Sequence, residues 1–271
     1  MPANIREFHR ASTAAQALDL LQRSETPTAA LVAAPRMPDD PFARVEAVID
    51  LQPLPLETIR SSGDVIRVGA LATLQAVATA APLAAVADGI LSQAAQLAAH
   101  FGLRNLATVA GAIAGAMGDP PGPPEVLLAL LALDAQVATL GAAESLSPLT
   151  NYRPSPSSLL AEVVIPASIA WRGVLARVAR SPLDQAIVAA VATVAPATAR
   201  VAVAGASPAP FVVAVNRSIA GAEFVAHLVD AVVAQVAPAS DYRGSAAYRR
   251  AMAEVLAHRA LTQALSNEAS A

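Results

Sequence analysis

The residues of this chain that could do chemistry are backbone-binding ones rather than nucleophiles. There is no cysteine in the 271 residues. That excludes disulfides, thiolate catalysis, thiolate-bound zinc and any iron–sulfur cluster carried by this chain. The four histidines, His9, His100, His227 and His258, show no HxxxH or HxH pairing and read as surface or satisfied side chains. In Gly205-Ala206-Ser207-Pro208 no glycine stands two residues after the serine, so it is not a nucleophile elbow. What remains is a run of small residues, Thr108-Val109-Ala110-Gly111-Ala112, followed by Gly115, Gly118, Asp119, a proline-rich stretch and Glu125. Backbone N–H groups facing a concavity bind anions, and glycine lets the backbone come close. The dinucleotide fingerprint GxGxxG and the phosphate-binding GxxxxGK are both absent. The spacing of Gly111, Gly115 and Gly118 reads as tight packing, and Glu125 as a first-turn acid that favours a helix dipole.

Composition narrows the function classes. Hydrophobic residues make up 55% and charged residues 14% of the chain, so it is not a disordered protein. So little charge suits a subunit that buries part of its surface, or a biased genomic composition; all 18 basic residues are arginine. Net charge is −3 and no basic run appears, which argues against a nucleic-acid partner. The start, Met1-Pro2-Ala3-Asn4-Ile5-Arg6, lacks a signal peptide's apolar core. The apolar runs near 106–118 and 186–199 are shorter than the ~20 residues a membrane helix needs. The expectation is a soluble, cytoplasmic protein with no membrane span.

The elements that must position these residues follow from periodicity. Ser12 and Thr13 are candidate caps of an amphipathic helix over 13–23, with Ala14, Ala17, Leu18 and Leu21 at helical spacing. Strands are expected at 28–33 and 45–51, giving a small α/β lobe. Alternation around Ser61-Ser62-Gly63-Asp64 predicts a hairpin. Helices are expected over 71–80, 83–100 and 125–133. The segment 104–122 shows no clear period. Strands follow at 135–140 and 159–165, the latter closed by Pro166. Beyond 167, three strands (174–178, 186–194 and 199–204) and two helices (221–236 and 244–265) are expected.

Several separated segments resemble one family, in its order. They are Glu7-Phe8-His9-Arg10, Val48-Ile49-Asp50-Leu51 and Ile66-Arg67-Val68-Gly69-Ala70-Leu71-Ala72-Thr73. Leu103-Arg104-Asn105-Leu106-Ala107-Thr108-Val109, Leu131-Ala132-Leu133-Asp134-Ala135 and Glu162-Val163-Val164-Ile165-Pro166 follow. Asp241-Tyr242-Arg243-Gly244-Ser245, running on to Tyr248-Arg249-Arg250, completes the set. The chain thus resembles the medium, FAD-binding subunit of molybdenum hydroxylases of the xanthine dehydrogenase and carbon-monoxide dehydrogenase type. The resemblance implies an α+β fold. A two-lobed FAD-binding domain of the vanillyl-alcohol-oxidase (PCMH) type would span 1–166, with lobes of about 1–52 and 53–166. A C-terminal α+β domain with a three-stranded antiparallel sheet and helices would span 167–271. It also implies partners: an iron–sulfur small subunit that delivers electrons to FAD, and a molybdopterin large subunit that acts on the substrate. The FAD would then reduce an external acceptor.

The resemblance places the FAD pyrophosphate on two glycine loops. The first would be Ala33, Ala34 and Arg36, the second Thr108, Ala110, Gly111 and Ala112, with Asp119 or Glu125 as the acid on the ribose. This chain departs from both patterns. The first loop has lost both glycines, and Pro35 has no N–H to donate; Arg36 could pair with phosphate instead. The second keeps Thr108 and one glycine. A hydrogen bond to a charged group is worth about 1.5–3 kcal/mol, and ~1.4 kcal/mol is tenfold in affinity. The alternative is therefore a flavin-free structural or assembly subunit of the same complex. Arg180 and Asp184 sit where the family has an ion pair. Arg249 and Arg250 beside Tyr248 read as exposed helix charges or a partner contact.

Overall fold

A computed structural model describes residues 5–23, 25–30, 32, 45–118, 121–141, 145–155, 158–167, 171–182, 184–217 and 222–269. The first lobe is built from strands β1 (Glu7–Arg10), β2 (Thr28–Ala30) and β3 (Ala47–Asp50) and helix α1 (Ala14–Leu21). The strands are parallel in the order β1-β3-β2. Thr13 caps α1 by accepting from Gln16 N. Ala17, Leu18 and Leu21 then close over Ile49, Leu51, Leu54 and Leu56.

The second lobe begins with the hairpin β4 (Ile59–Ser62) and β5 (Val65–Gly69), turned by Gly63 at φ 59°. These strands belong to an antiparallel sheet that also holds β6 (Gln136–Leu140), β7 (Ser145–Pro148) and β8 (Leu159–Pro166), in the order β4-β5-β8-β6-β7. Between β5 and β6 lies a helical layer: α2 (Leu74–Thr79), α3 (Ala81–Ala84), α4 (Ile90–Ala98), α5 (Phe101–Arg104), α6 (Val109–Ala116) and α7 (Glu125–Ala132). Two expected helices are shorter than their patterns. The run 83–100 breaks at Ala87, Asp88 and Gly89, which take φ of 48°, 56° and 69°. Conversely, the stretch without a period contains α5 and α6. In α6 alanine and glycine fill nearly every position, so no face is more apolar than another. Gly115 packs closely on Gly122, where a Cβ would sit 3.2 Å from the Gly115 carbonyl oxygen.

The last region forms a sheet of four strands, β9 (Arg172–Val178), β10 (Val188–Val194), β11 (Thr198–Ala204) and β12 (Phe211–Asn216), all antiparallel, in the order β12-β11-β10-β9. Three strands were expected; β12 is the additional one, hidden by its half-exposed pattern at the sheet edge. Helices α8 (Ala222–Val233) and α9 (Ala246–Ala269) cover one face. The other face lies on α7. β10 is buried at every position. Its Ala189 and Val191 join the core around α7, while Val188, Ala190, Ala192 and Val194 join the core of α8 and α9.

Gly205 ends β11 at φ 80°, and a Cβ there would lie 2.1 Å from the Ile187 carbonyl oxygen. Backbone against backbone cannot move aside cheaply, and the left-handed conformation adds strain. The variant Gly205→Ala is expected to lose about 2–4 kcal/mol of stability, read as a lower denaturation midpoint at unchanged m-value; an unchanged midpoint would contradict this packing.

Candidate functional site

The expected cofactor residues fall on two helix starts. Thr108 is extended at φ −110° and caps α6 by accepting from Gly111 N at 3.1 Å. The chain around it pairs with the segment after β5. Thr73 and Thr108 form an antiparallel bridge, and Leu74 N donates to Ala107 O at 2.8 Å. Val109 N then donates to Ala72 O at 3.0 Å, and Ala110 N to Ala70 O at 2.8 Å. Ala112 N makes the ordinary helical bond to Thr108 O at 2.8 Å. A helix start ordinarily leaves its first amides unpaired, which is what makes it an anion site. Here the four amides from Val109 to Ala112 all have acceptors inside the chain. The side chains are closed off as well: Val109 is 2% exposed, Ala110 7% and Ala112 1%. With no amide and little surface left, these residues do not fit the pyrophosphate of an FAD. Only the hydroxyl proton of Thr108 is unassigned among the described donors of this loop. Ala33, Ala34, Arg36 and Asp119 lie outside the described residues.

Glu125 opens α7 and is fully buried. Its Oε1 lies 3.4 Å from Nε of Arg177, on β9. Neither carboxylate oxygen, nor Arg177 Nε, has a hydrogen-bond partner in the described structure. Arg177 also donates to the carbonyls of Pro182 and Asp184. Burial pushes the Glu125 carboxyl above its usual range, and the Arg177 charge opposes the rise. The pair therefore ties the start of α7 to the C-terminal sheet. Gln185 Nε2 adds to this tie by donating to Pro121 O and Gly122 O, both at 2.8 Å. The family resemblance offered Glu125 as a ribose ligand, and its place in the sequence offered it as a dipole partner; nothing local announced Arg177, which lies 52 positions later.

Between the far end of α6 and the C-terminal sheet runs a cleft of about 820 Å³. Gly115, Gly122, Gly205, Tyr242 and Arg243 line it. Its size is that of a ligand pocket. Asp241 gathers the arginines of this cleft, although Nε and Nη1 of Arg243 have no hydrogen-bond partner in the described structure. Arg249 is 5% exposed and donates to Ile187 O, Gly205 O and Asp241 Oδ1, and Arg243 Nε lies 3.6 Å from Asp241 Oδ2. The C-terminal Arg249, expected at the surface, is thus a buried strut. Arg250 reaches Val236 O at 2.8 Å.

The remaining sequence features have structural roles. Arg104 donates to Gln75 Oε1, Gln96 O and Ala99 O, closing the end of α4. His100 caps α5. His9 Nε2 lies 2.8 Å from Glu7, whose carboxyl is held down to about 2, chiefly by the hydrogen bond from Arg23 and next by that from His9. Arg180 and Asp184 form an ion pair at 3.3 Å. Among the described residues no cluster of three metal-ligating side chains occurs, and no helix is long and apolar enough to cross a membrane.

The family described as the FAD binding domain in molybdopterin dehydrogenase matches residues 3–168. Solved structures are similar over nearly the whole chain. A chain of carbon monoxide dehydrogenase from Hydrogenophaga pseudoflava is 24% identical, with TM-score 0.83 over 98% of this chain and 99% of that one. For carbon monoxide dehydrogenase from Oligotropha carboxidovorans the values are 23%, 0.80, 95% and 96%. For quinoline 2-oxidoreductase from Pseudomonas putida 86 they are 18%, 0.79, 96% and 97%. At these identities the likeness establishes the fold. No curated protein matches the sequence.

The buried Glu125 yields a pH prediction. Its folded pKa is raised above the ordinary 4.5. The folded state then holds the proton more tightly than the unfolded state, so stability is full below that value and falls as pH rises toward the folded pKa. Glu125→Gln is expected to flatten this fall, measured by urea denaturation across pH 4 to 8 (about the usual carboxyl range and above). Arg177→Met, which strands the carboxylate, is expected to cost about 3–5 kcal/mol at neutral pH. Parallel pH profiles for wild type and Glu125→Gln would remove the burial argument.

Proposed function

The chain belongs to the FAD-binding-domain family of molybdopterin dehydrogenases, and on that premise we propose that it is the medium subunit of a heteromeric molybdenum hydroxylase-type oxidoreductase. The observation that carries this reading is the match of the family over 3–168, joined to a C-terminal sheet that shares a continuous core with it. Its partners are an iron–sulfur small subunit and a molybdopterin large subunit. Substrate chemistry belongs to the large subunit, as family membership implies, and this chain carries no thiol.

Two further features support a place inside a complex. Only 14% of residues are charged. Leu97, Phe101 and Leu106, on and beside α4 and α5, are 41%, 64% and 67% exposed, and large apolar side chains left open are typical of interaction surfaces.

Within that place, family membership alone implies electron transfer from iron–sulfur clusters through FAD to an external acceptor. The alternative is a subunit that keeps the place without the cofactor. The filled donors at the start of α6 favour the alternative.

Isolating the tagged chain from cells that also produce its partners tests the assignment. Stoichiometric recovery of an iron–sulfur protein and a molybdopterin protein is expected, identified by mass spectrometry and by metal analysis. Recovery of the chain as a free monomer from such cells would remove the subunit reading.

A further inference from the structure

We infer that the start of α6 is a closed joint of the fold rather than an anion cradle, and that this chain holds its place in the complex without FAD; the inference rests on the subunit reading above.

Three independent observations lead to it. The first is the hydrogen-bond accounting. An anion cradle needs amides with no other partner. The amides of Val109 and Ala110 point at the carbonyls of Ala72 and Ala70, that of Gly111 at the Thr108 hydroxyl oxygen, and that of Ala112 at Thr108 O. Each acceptor is itself positioned by secondary structure: Ala70 to Leu74 run antiparallel to Ala107 to Ala110. Opening the joint for a phosphate would leave the Ala70 and Ala72 carbonyls without their partners in a buried place, at a cost comparable to what the new bonds return.

The second observation is steric. Ala110 and Ala112 point their methyl groups into the core, where they are 7% and 1% exposed, and Ile113 beside them is fully buried. A diphosphate needs open surface at the helix start, and none of Ala107 to Ile113 is exposed. The third is chemical and comes from the sequence of the other loop. Val32-Ala33-Ala34-Pro35-Arg36 contains no glycine, and Pro35 offers no N–H at all. A diphosphate would therefore lose donors at both ends of its site at once. A single guanidinium, Arg36, can supply two bonds to one phosphate but cannot restore a cradle of amides.

The closed joint has a use of its own. It fixes the start of α6 to the strand-ending segment after β5, and α6 in turn carries Gly115 against Gly122, where the chain enters α7. The helix start is therefore held without any anion, and the fold does not depend on the cofactor.

The test uses the full chain, purified both alone and as the co-expressed complex. Absorbance from the near-ultraviolet through the visible is recorded first. Any flavin is then released by heat and identified by chromatography, which separates it from iron–sulfur absorbance. Flavin-free protein is next titrated with FAD while flavin fluorescence is followed. A cooperative thermal melt of the same sample shows that the protein is folded. The expected result is no released flavin from either preparation and no saturable change on titration. The double variant Ala110→Gly/Ala112→Asn separates the causes: it restores small and amide-bearing residues but does not free the amides bonded to Ala70 and Ala72, so it is expected to bind no FAD either. Stoichiometric FAD in the wild-type protein would overturn the inference, and FAD binding gained by the double variant would overturn the closed-joint argument. Because flavin is measured on the chain alone as well, failure to recover partners strikes the subunit reading and leaves this result intact.

Discussion

The structure depends on burying both faces of strand β10. All seven of its residues are buried, so the strand needs an apolar partner on each side. Alternation decides which side chain meets which partner. Ala189 and Val191 lie on α7 of the FAD-binding domain, and Val188, Ala190, Ala192 and Val194 lie under α8 and α9. Without α7 the strand would expose one apolar face; without α9 it would expose the other. The one polar side chain of the strand obeys the same constraint. Thr193 faces α7, is 1% exposed, and donates its hydroxyl to Ala132 O at the end of that helix. The prevalence of alanine follows as well, because small side chains let two layers approach the sheet closely.

Once that sheet is seated, polar contacts fix how it sits. They lie at separate points around the seam between the two parts of the chain. At one corner Gly173 N donates to Asp88 Oδ2 at 3.2 Å, and a side chain on Gly173 would strike the Ala87 carbonyl oxygen. At another Arg200 meets Asp134 at 2.6 Å. At a third Arg177 faces Glu125, and Gln185 holds the carbonyls of Pro121 and Gly122. The left-handed backbone at Ala87, Asp88 and Asp134 costs of order 1 kcal/mol or more per residue. It occurs at two of these corners, so the strain is held in place by the seam it helps to form. Interfaces between domains are often polar and mobile; a seam with a shared apolar core and pins at several corners resists such motion.

Much of this architecture was legible in the sequence where a single period dominated. The capped helix at Thr13, the hairpin at Gly63, and the strands around 174–178, 186–194 and 199–204 carry such periods, and they occur. The failures have common physical causes. Helix α6 is composed almost wholly of alanine, glycine and aliphatic residues, so it has no polar face to reveal its period. The break at Ala87 to Gly89 answers to Gly173, whose contact with Ala87 spans 86 positions that no local window contains. Strand β12 lies at the sheet edge, where alternation is weak. At the candidate site, sequence showed which glycines were missing. It could not show that the carbonyls of Ala70 and Ala72 already answer the amides that remain.

A cofactor-binding fold can persist without its cofactor where its donors are filled from within. A cradle made of unpaired amides carries a standing cost when empty, because buried polar groups without partners destabilise the folded state. A fold of that kind leans on its ligand, which stabilises whatever it binds. Here the amides close on carbonyls of a neighbouring segment, the helix start is buried, and β10 gets its apolar cover from the chain itself. The four amides from Val109 to Ala112 are satisfied internally. The start of α6 is then held in place by bonds from its own chain, with no anion required there.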